Sequence, residues 1–261
     1  LSAQAPGRLA QAVGSRVSGA ELGGLLAFMS SKVLGQFDPF WTGPDGEAGR
    51  LLLVAPNVVE VERKLGVAPD DFRLWVCLHE ETHRLQFTGV PWMRDHVRGL
   101  IDEFSDATEL DPQALSKLLT EGLGELVRIV RGESDASLAD LFQNERQKEL
   151  VDRITGVMSL LEGHADVVMD GVGPDYVPTV DQIRRRFDER RKGSGGIDRV
   201  VRRLLGLEGK MRQYRDGAVF VRQVVDTVGH DGFSAVWASP ENLPSKAEIL
   251  DPSAWVSRVR P

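Results

Sequence analysis

Leu74 to Phe87 reads LWVCLHEETHRLQF, and at its centre His79-Glu80-Glu81-Thr82-His83 forms an H-E-x-x-H motif. On a helix, residues four apart lie one turn above each other on the same face, so both imidazoles can turn a nitrogen toward one Zn²⁺. Glu80 stands one position further round, beside the metal rather than on it. There a carboxylate can take a proton from a metal-activated water and return it to a leaving group. The motif also arises by chance in helices that carry two unrelated histidines, so its flanks decide. Leu74, Trp75, Val76, Cys77 and Leu78 precede it, and Leu85 and Phe87 follow. Two imidazoles and two carboxylates are costly in such apolar company unless a metal compensates them. Pro69, Asp70 and Asp71 mark a helix start, and Gly89 followed by Pro91 marks its end, which predicts a helix over residues 70–88. Cys77 falls on another side of that helix from His79 and reads as a packing residue rather than a ligand.

A catalytic zinc site needs a third protein ligand. The spacing H-E-x-x-H-x-x-G-x-x-H is excluded, because Gln86 occupies its glycine position and Gly89 its last histidine position. Glu103, His96, Glu162 and His164 are the candidates. Glu103 follows His83 after 19 intervening residues, a spacing that resembles the thermolysin family, but the residues around it offer no supporting partner. His96 reads as a surface or capping histidine. Glu162 is preferred. In Leu161-Glu162-Gly163-His164-Ala165-Asp166 it shares a helical face with Asp166, and the apolar run Ile154, Val157, Met158, Leu160 and Leu161 predicts that this helix is buried. Asp166 could accept the remaining N–H of a ligating imidazole and so fix its orientation. The pattern Glu-x-x-Ala-Asp resembles the third-ligand helix of glutamate-type zincins, in which the aspartate has that part. Gly163 would let another backbone or a ligand come close. His164 points to a different side; it is read as a satisfied core histidine ahead of a donor to the transition state or a replacement ligand.

The rest of the chain predicts a mainly α protein with one small β-hairpin and the metal site between two buried helices. Helical spacing runs over 8–34, 92–104, 111–131, 135–170, 179–192 and 196–230. Residues 33–40 and 50–55 flank the turn-rich Thr42 to Gly46 and predict the hairpin. The apolar run Leu51 to Val54 predicts a strand covered on both faces, and Asn57 with Glu60 predicts a capping box for a short helix to Leu65. Trp255, Val256 and Val259 predict a short apolar anchor near the end. At 261 residues the chain suits one metallohydrolase domain over 1–261, with N-terminal helices and hairpin in 1–68, metal-site helices in 69–170 and a helical part in 171–261.

A net charge of −7 argues against general nucleic-acid binding, which needs a basic footprint. One segment departs from it: Ile183 to Arg203 holds nine Lys and Arg against three Asp and Glu around Gly193 to Gly196. It reads as two solvated helix ends joined by a flexible loop, ahead of a basic rim that steers an acidic substrate. No stretch approaches the ~20 apolar residues of a membrane span. The single cysteine excludes an internal disulfide framework, and Leu1 to Arg16 lacks the apolar core of a signal peptide. The expected location is therefore cytoplasmic, although Leu1 in place of an initiator methionine leaves room for residues upstream.

With both motifs in place, the chain resembles a zincin-like family of zinc-dependent metalloproteases found mainly in actinobacteria and some chloroflexi, a family also linked by name to deazaflavin-cofactor biosynthesis. The likeness rests on HEETHRLQF and on Met158 to Asp170 (MSLLEGHADVVMD). Gly35 to Phe40, Leu53 to Asn57, Pro91-Trp92, Lys210 to Tyr214 and Pro240 to Pro244 support it. It implies a mostly helical domain and a peptidase-type site. The expected function is then a zinc-dependent metallopeptidase with His79, His83 and Glu162 on Zn²⁺, Glu80 as general base and a peptide as substrate. The alternatives are a hydrolase of a small amide with the same groups, or a non-catalytic zinc-binding helical protein, which would have no use for Glu80. Acyl transfer also calls for a donor to the oxyanion. Tyr214, Tyr176, His164 and Arg212 are candidates, and Tyr214 is preferred because the chain has only two tyrosines. Leu51 to Ala55 could bind extended peptide by edge pairing.

Overall fold

Gly43, Pro44, Asp45 and Gly46 turn the chain back on itself, and the computed structural model pairs β1 (Gly35–Thr42) antiparallel with β2 (Ala48–Leu53). The structure describes residues 30–31, 33–46, 48–107, 145–192 and 207–259, with the side chains at 188, 190–192 and 207–215 outside that set. Gly35 lies opposite Leu53 and Phe37 opposite Leu51; the register then shifts between Asp38 and Thr42. Asp38 is the cause, because its Oδ1 accepts from the amides of Phe40 and Trp41 at 3.1 and 3.2 Å and draws the strand into a local turn.

The expectation that the Leu51 to Val54 run is covered on both faces does not hold. Among the described residues the sheet has two strands, and one face lies on the metal-motif helix while Leu53 remains 46% exposed. The capping box at Asn57 is also absent. Helix α1 (Ala55–Leu65) starts earlier, with Pro56 in its first turn, where a missing N–H costs nothing. The Asn57 amide instead donates to the carbonyls of Ser30 and Val33, both at 2.7 Å, and ties α1 to the chain entering β1.

Helices α2 (Pro69–Gly89) and α3 (Met93–Asp106) follow, then α4 (Glu145–Val172), α5 (Val180–Lys192) and α6 (Leu207–Phe233). Gly229, at φ 73°, breaks the last turn of α6. Two 3₁₀ turns, Ser234–Trp237 and Pro240–Asn242, lead to α7 (Lys246–Leu250) and α8 (Pro252–Val259). The expected mainly α fold with a small hairpin is what forms. The helix expected at 111–131, residues 8–29 of the one expected at 8–34, and the starts of those expected at 135 and 196 lie outside the described residues; residues 33–34 are not helical.

Two apolar clusters share α2 between them. Near its start, Phe72 and Val76 pack with Val58, Val61 and Leu65 of α1 and with Val177 and Ile183 at α5. Near its end, Phe87 packs against a second cluster of Met93, Leu160, Leu161, Phe220, Val224 and Trp255. Each large side chain buried there is worth about 1.5–3 kcal/mol of transfer free energy. Polar ties orient α2 between them. Buried Glu62 accepts two hydrogen bonds from Arg73, at 2.9 and 2.8 Å. Asp71 accepts from the amide and hydroxyl of Thr179, at 2.9 and 2.6 Å.

Helix α4 crosses α6 with almost no room between the backbones. A Cβ on Gly163 would stand 2.1 Å from the carbonyl carbon of Gly217, and one on Gly217 would stand 1.9 Å from the oxygen of Ser159. The close approach expected at Gly163 is thus made by α6, one residue from Glu162.

Candidate metal centre

Trp75, His79 and His83 follow one another at four-residue spacing and share one face of α2, turned toward α4. On α4, Leu160, Leu161 and Ala165 are buried in the core, which leaves Glu162 half-buried on the flank facing α2. His79 Nε2 lies 3.1 Å from His83 Nε2 and 3.4 Å from Glu162 Oε2, and His83 Nε2 lies 3.7 Å from Glu162 Oε1. Donors held tetrahedrally at about 2.0–2.1 Å from a zinc ion stand about 3.3 Å apart, so these separations bracket what one small cation requires. Among the described residues this is the group of His, Cys, Asp and Glu able to hold a metal, its ligand atoms all within 4.8 Å of one another. Two imidazole nitrogens and a carboxylate oxygen suit zinc by donor chemistry as well as by spacing.

Adjacent Glu80 and Glu81 have opposite environments. Glu81 faces outward and is held by Arg84, whose hydrogen bond keeps its carboxyl below the ordinary range. Glu80 is 6% exposed, and burial pushes its carboxyl above 4.5 although the charges of His79 and His83 pull the other way. Burial acts on Glu162 in the same upward sense, but hydrogen bonds and charge from His79 and His83 outweigh it and hold this carboxyl at about 2. For His83 burial favours the neutral ring, and Glu162 more than offsets that, so the net shift is upward. The two carboxyls are therefore shifted in opposite directions, Glu162 downward between the histidines and Glu80 upward by burial.

Glu80, His79, Glu162 and Asp166 border a cleft of about 170 Å³ whose apolar walls are Leu34, Trp75 and Phe187. The Trp75 and Phe187 rings stand 5.4 Å apart. Asp166, expected to orient a ligating imidazole, borders this cleft, and Arg184 of α5 donates to its backbone oxygen at 3.3 Å.

The partner of His83 is a residue that sequence reasoning passed over. Gln86 is 4% exposed; its Oε1 lies 2.9 Å from His83 Nδ1, and its Nε2 lies 2.9 Å from the Leu161 oxygen and 3.0 Å from His164 Nδ1. The available signal was a polar side chain between Leu85 and Phe87, three positions after a ligand-type histidine on the same helix. Gly35 was also passed over as a site residue, although it lies directly over the Glu80 side chain.

The remaining sequence candidates lie elsewhere or are otherwise engaged. Glu103 is 45% exposed and accepts from Arg153 at 3.1 Å, and His96 packs edge-on against Trp92 at 5.9 Å. Neither joins the donor group. His164 stacks on Phe233 at 5.7 Å and meets Trp237 edge-on at 5.2 Å; burial first, then the charge of His83, holds its ring at about 4. These contacts seat the ring against Phe233 and Trp237, with Nδ1 toward Gln86. Tyr176 is 73% exposed in the turn between α4 and α5. The side chains of Tyr214 and Arg212, and the basic glycine loop around Gly193, lie outside the described residues. Half-buried Cys77 is not in the donor group. No helix among the described residues is long and apolar enough to cross a membrane.

Comparison with known proteins agrees with this geometry. The profile of a family described as zincin-like metallopeptidase matches residues 2–256. A crystal structure from Chloroflexus aurantiacus, described as a candidate hydrolase with a novel fold, is similar at 33% identity and a TM-score of 0.64, over 94% of this chain and 69% of that one. None of the curated proteins matches.

Proposed function

The chain belongs to the zincin-like metallopeptidase family, and from that premise we propose that it hydrolyses peptide bonds, with Zn²⁺ held by His79, His83 and Glu162 and with Glu80 as general base. The observation that carries this reading is the convergence of three donors at 3.1, 3.4 and 3.7 Å beside one buried carboxyl. Bound there, zinc supplies Lewis acidity, which makes water easier to deprotonate and the scissile carbonyl easier to attack.

The chain's own groups do the rest. His79 and His83 would each offer a ring nitrogen to the ion, and Glu162 brings a negative charge that stays ionised well below neutrality because two imidazoles face it. Glu80 takes the proton of the attacking water and returns it to the leaving amine. A general base of this kind works best when its pKa approaches the working pH. Leu34, Trp75 and Phe187 wall the cleft with apolar surface.

The hydrolase description of the Chloroflexus relative is compatible with a peptide or with a smaller amide as substrate. A small-amide hydrolase would use the same four residues, His79, Glu80, His83 and Glu162. Mass spectrometry of a diverse peptide mixture, treated with zinc-loaded wild type or Glu80→Gln, separates these readings. Cuts made by the wild type alone, with equal zinc in both proteins, support the peptidase. Cleavage of short acyl amides without any peptide cut would move the assignment to the smaller substrate class. Equal turnover by both proteins would remove Glu80 from the mechanism.

A further inference from the structure

We propose that Gln86 is the positioning residue of the metal centre. It sets the tautomer of His83 and couples that choice to the helix that carries Glu162. The inference rests on the zinc reading above for its functional meaning, but its structural core stands on hydrogen-bond logic alone.

The Leu161 carbonyl can only accept, so the Gln86 atom facing it at 2.9 Å must be the amide nitrogen. That removes the usual ambiguity between the two ends of a carboxamide. The other end, Oε1, then faces His83 Nδ1 at 2.9 Å. A carbonyl oxygen cannot donate, so Nδ1 must carry the proton. In the neutral ring the lone pair is then on Nε2, the atom that points at His79 and Glu162. The second hydrogen of the Gln86 amide goes to His164 Nδ1 at 3.0 Å. Both ends of the side chain are thereby satisfied, as a position only 4% exposed demands.

The anchor matters as much as the contact. Leu161 immediately precedes Glu162, so one carboxamide spans from a ligand-bearing face of α2 to the backbone of α4 beside the third donor. A shift of α4 relative to α2 would strain this bridge as well as spread the donors. Outer partners of this kind hold the ligand ring in place, and their loss typically weakens metal binding by about 10–100-fold.

Two substitutions separate this role from simple packing. Gln86→Met keeps length and bulk but cannot accept from His83. Gln86→Glu still offers an oxygen to Nδ1–H, yet sets an acceptor against the Leu161 carbonyl. If Gln86 positions His83, zinc affinity measured by chelator competition falls by about 10–100-fold in Gln86→Met and stays nearer wild type in Gln86→Glu. The thermal stability of the two metal-free variants runs in the opposite order. A packing role alone predicts Gln86→Glu as the worse variant in both measurements, and that result overturns the proposal. A second measurement needs neither a variant nor zinc. Nitrogen-15 shifts of the His83 ring in the metal-free wild type, taken where the imidazoles are neutral, should show protonated Nδ1 and bare Nε2; the reverse tautomer refutes the assignment. Wild type that shows this tautomer but binds no zinc would leave Gln86 as argued and bring down the zinc reading instead.

Discussion

Gly35 lies directly over the Glu80 side chain: a Cβ at Gly35 would stand 2.8 Å from Glu80 Cγ and 2.9 Å from its Oε1. The strand thereby confines the buried carboxyl, and the atoms that would be struck belong to a flexible side chain, not to backbone. Gly35→Ala should therefore re-aim Glu80 at little cost to folding. The proposed mechanism predicts about a hundredfold loss of turnover with unchanged zinc content, the scale expected when a reacting group is misplaced by about 1 Å. Metal analysis alongside a turnover assay checks both halves. Full activity in Gly35→Ala would mean that Glu80 does not need this confinement.

The crossing of α4 and α6 should respond in the other way. At Gly163 and Gly217 an added methyl meets backbone, which cannot swing aside. Alanine at either position should cost about 1–3 kcal/mol, as overpacking does. Gly171, on the same helix as Gly163, serves as the control, because a methyl added there would meet nothing within 4 Å. Alanine at that position should leave stability equal or raise it by about 0.4–1 kcal/mol. Thermal denaturation of the three variants tests the contrast, and equal melting temperatures would refute it.

Ion pairing at Glu162 makes the metal-free protein sensitive to acid. The carboxyl sits at about 2 when folded, against an ordinary 4.5. Because the folded value is the lower one, its contribution is whole above 4.5 and is lost as pH falls toward 2. Metal-free wild type should lose melting temperature between about pH 5 and about pH 3 more steeply than Glu162→Gln. Parallel curves would show that this carboxyl is not held by the two histidines.

Zinc should stabilise the fold, because the three donors converge only when α2 and α4 are packed. A free concentration a hundredfold above Kd adds about 2.7 kcal/mol, which for a chain of this size raises Tm by about 5–10 °C. His83→Ala and Glu162→Gln should abolish the shift, measured by scanning calorimetry with and without added metal. A shift that survives in both variants would place the ion elsewhere.

What could be read from the chain follows from how local the signal was. H-E-x-x-H and its apolar flanks report on one helix, so the extent of α2 was legible to within a residue. The Glu162 helix was legible because its apolar period is long, and the hairpin because Thr42 to Gly46 offers little but turn residues. The Leu51 to Val54 run misled because an apolar strand looks the same whether two faces or one are covered, and that depends on what packs against it from elsewhere in the chain. Asn57 misled because its amide has tertiary partners, Ser30 and Val33, that compete with a local cap. Glu103 has a zincin-like spacing, but its distance from the site depends on how α3 leaves Pro91, which no motif encodes. Gln86 stood in plain view and was read only as a mismatch to another subclass, since its bonds to Leu161 and His164 span more than 70 positions.

The most direct test of the account is anomalous diffraction at the zinc edge from crystals of the zinc-loaded protein. The account predicts one strong peak within bonding distance of His79 Nε2, His83 Nε2 and a Glu162 oxygen, with Glu80 beside it and off the metal. A peak bonded to Glu80 or Glu103 in place of Glu162, or no peak between α2 and α4, would contradict it.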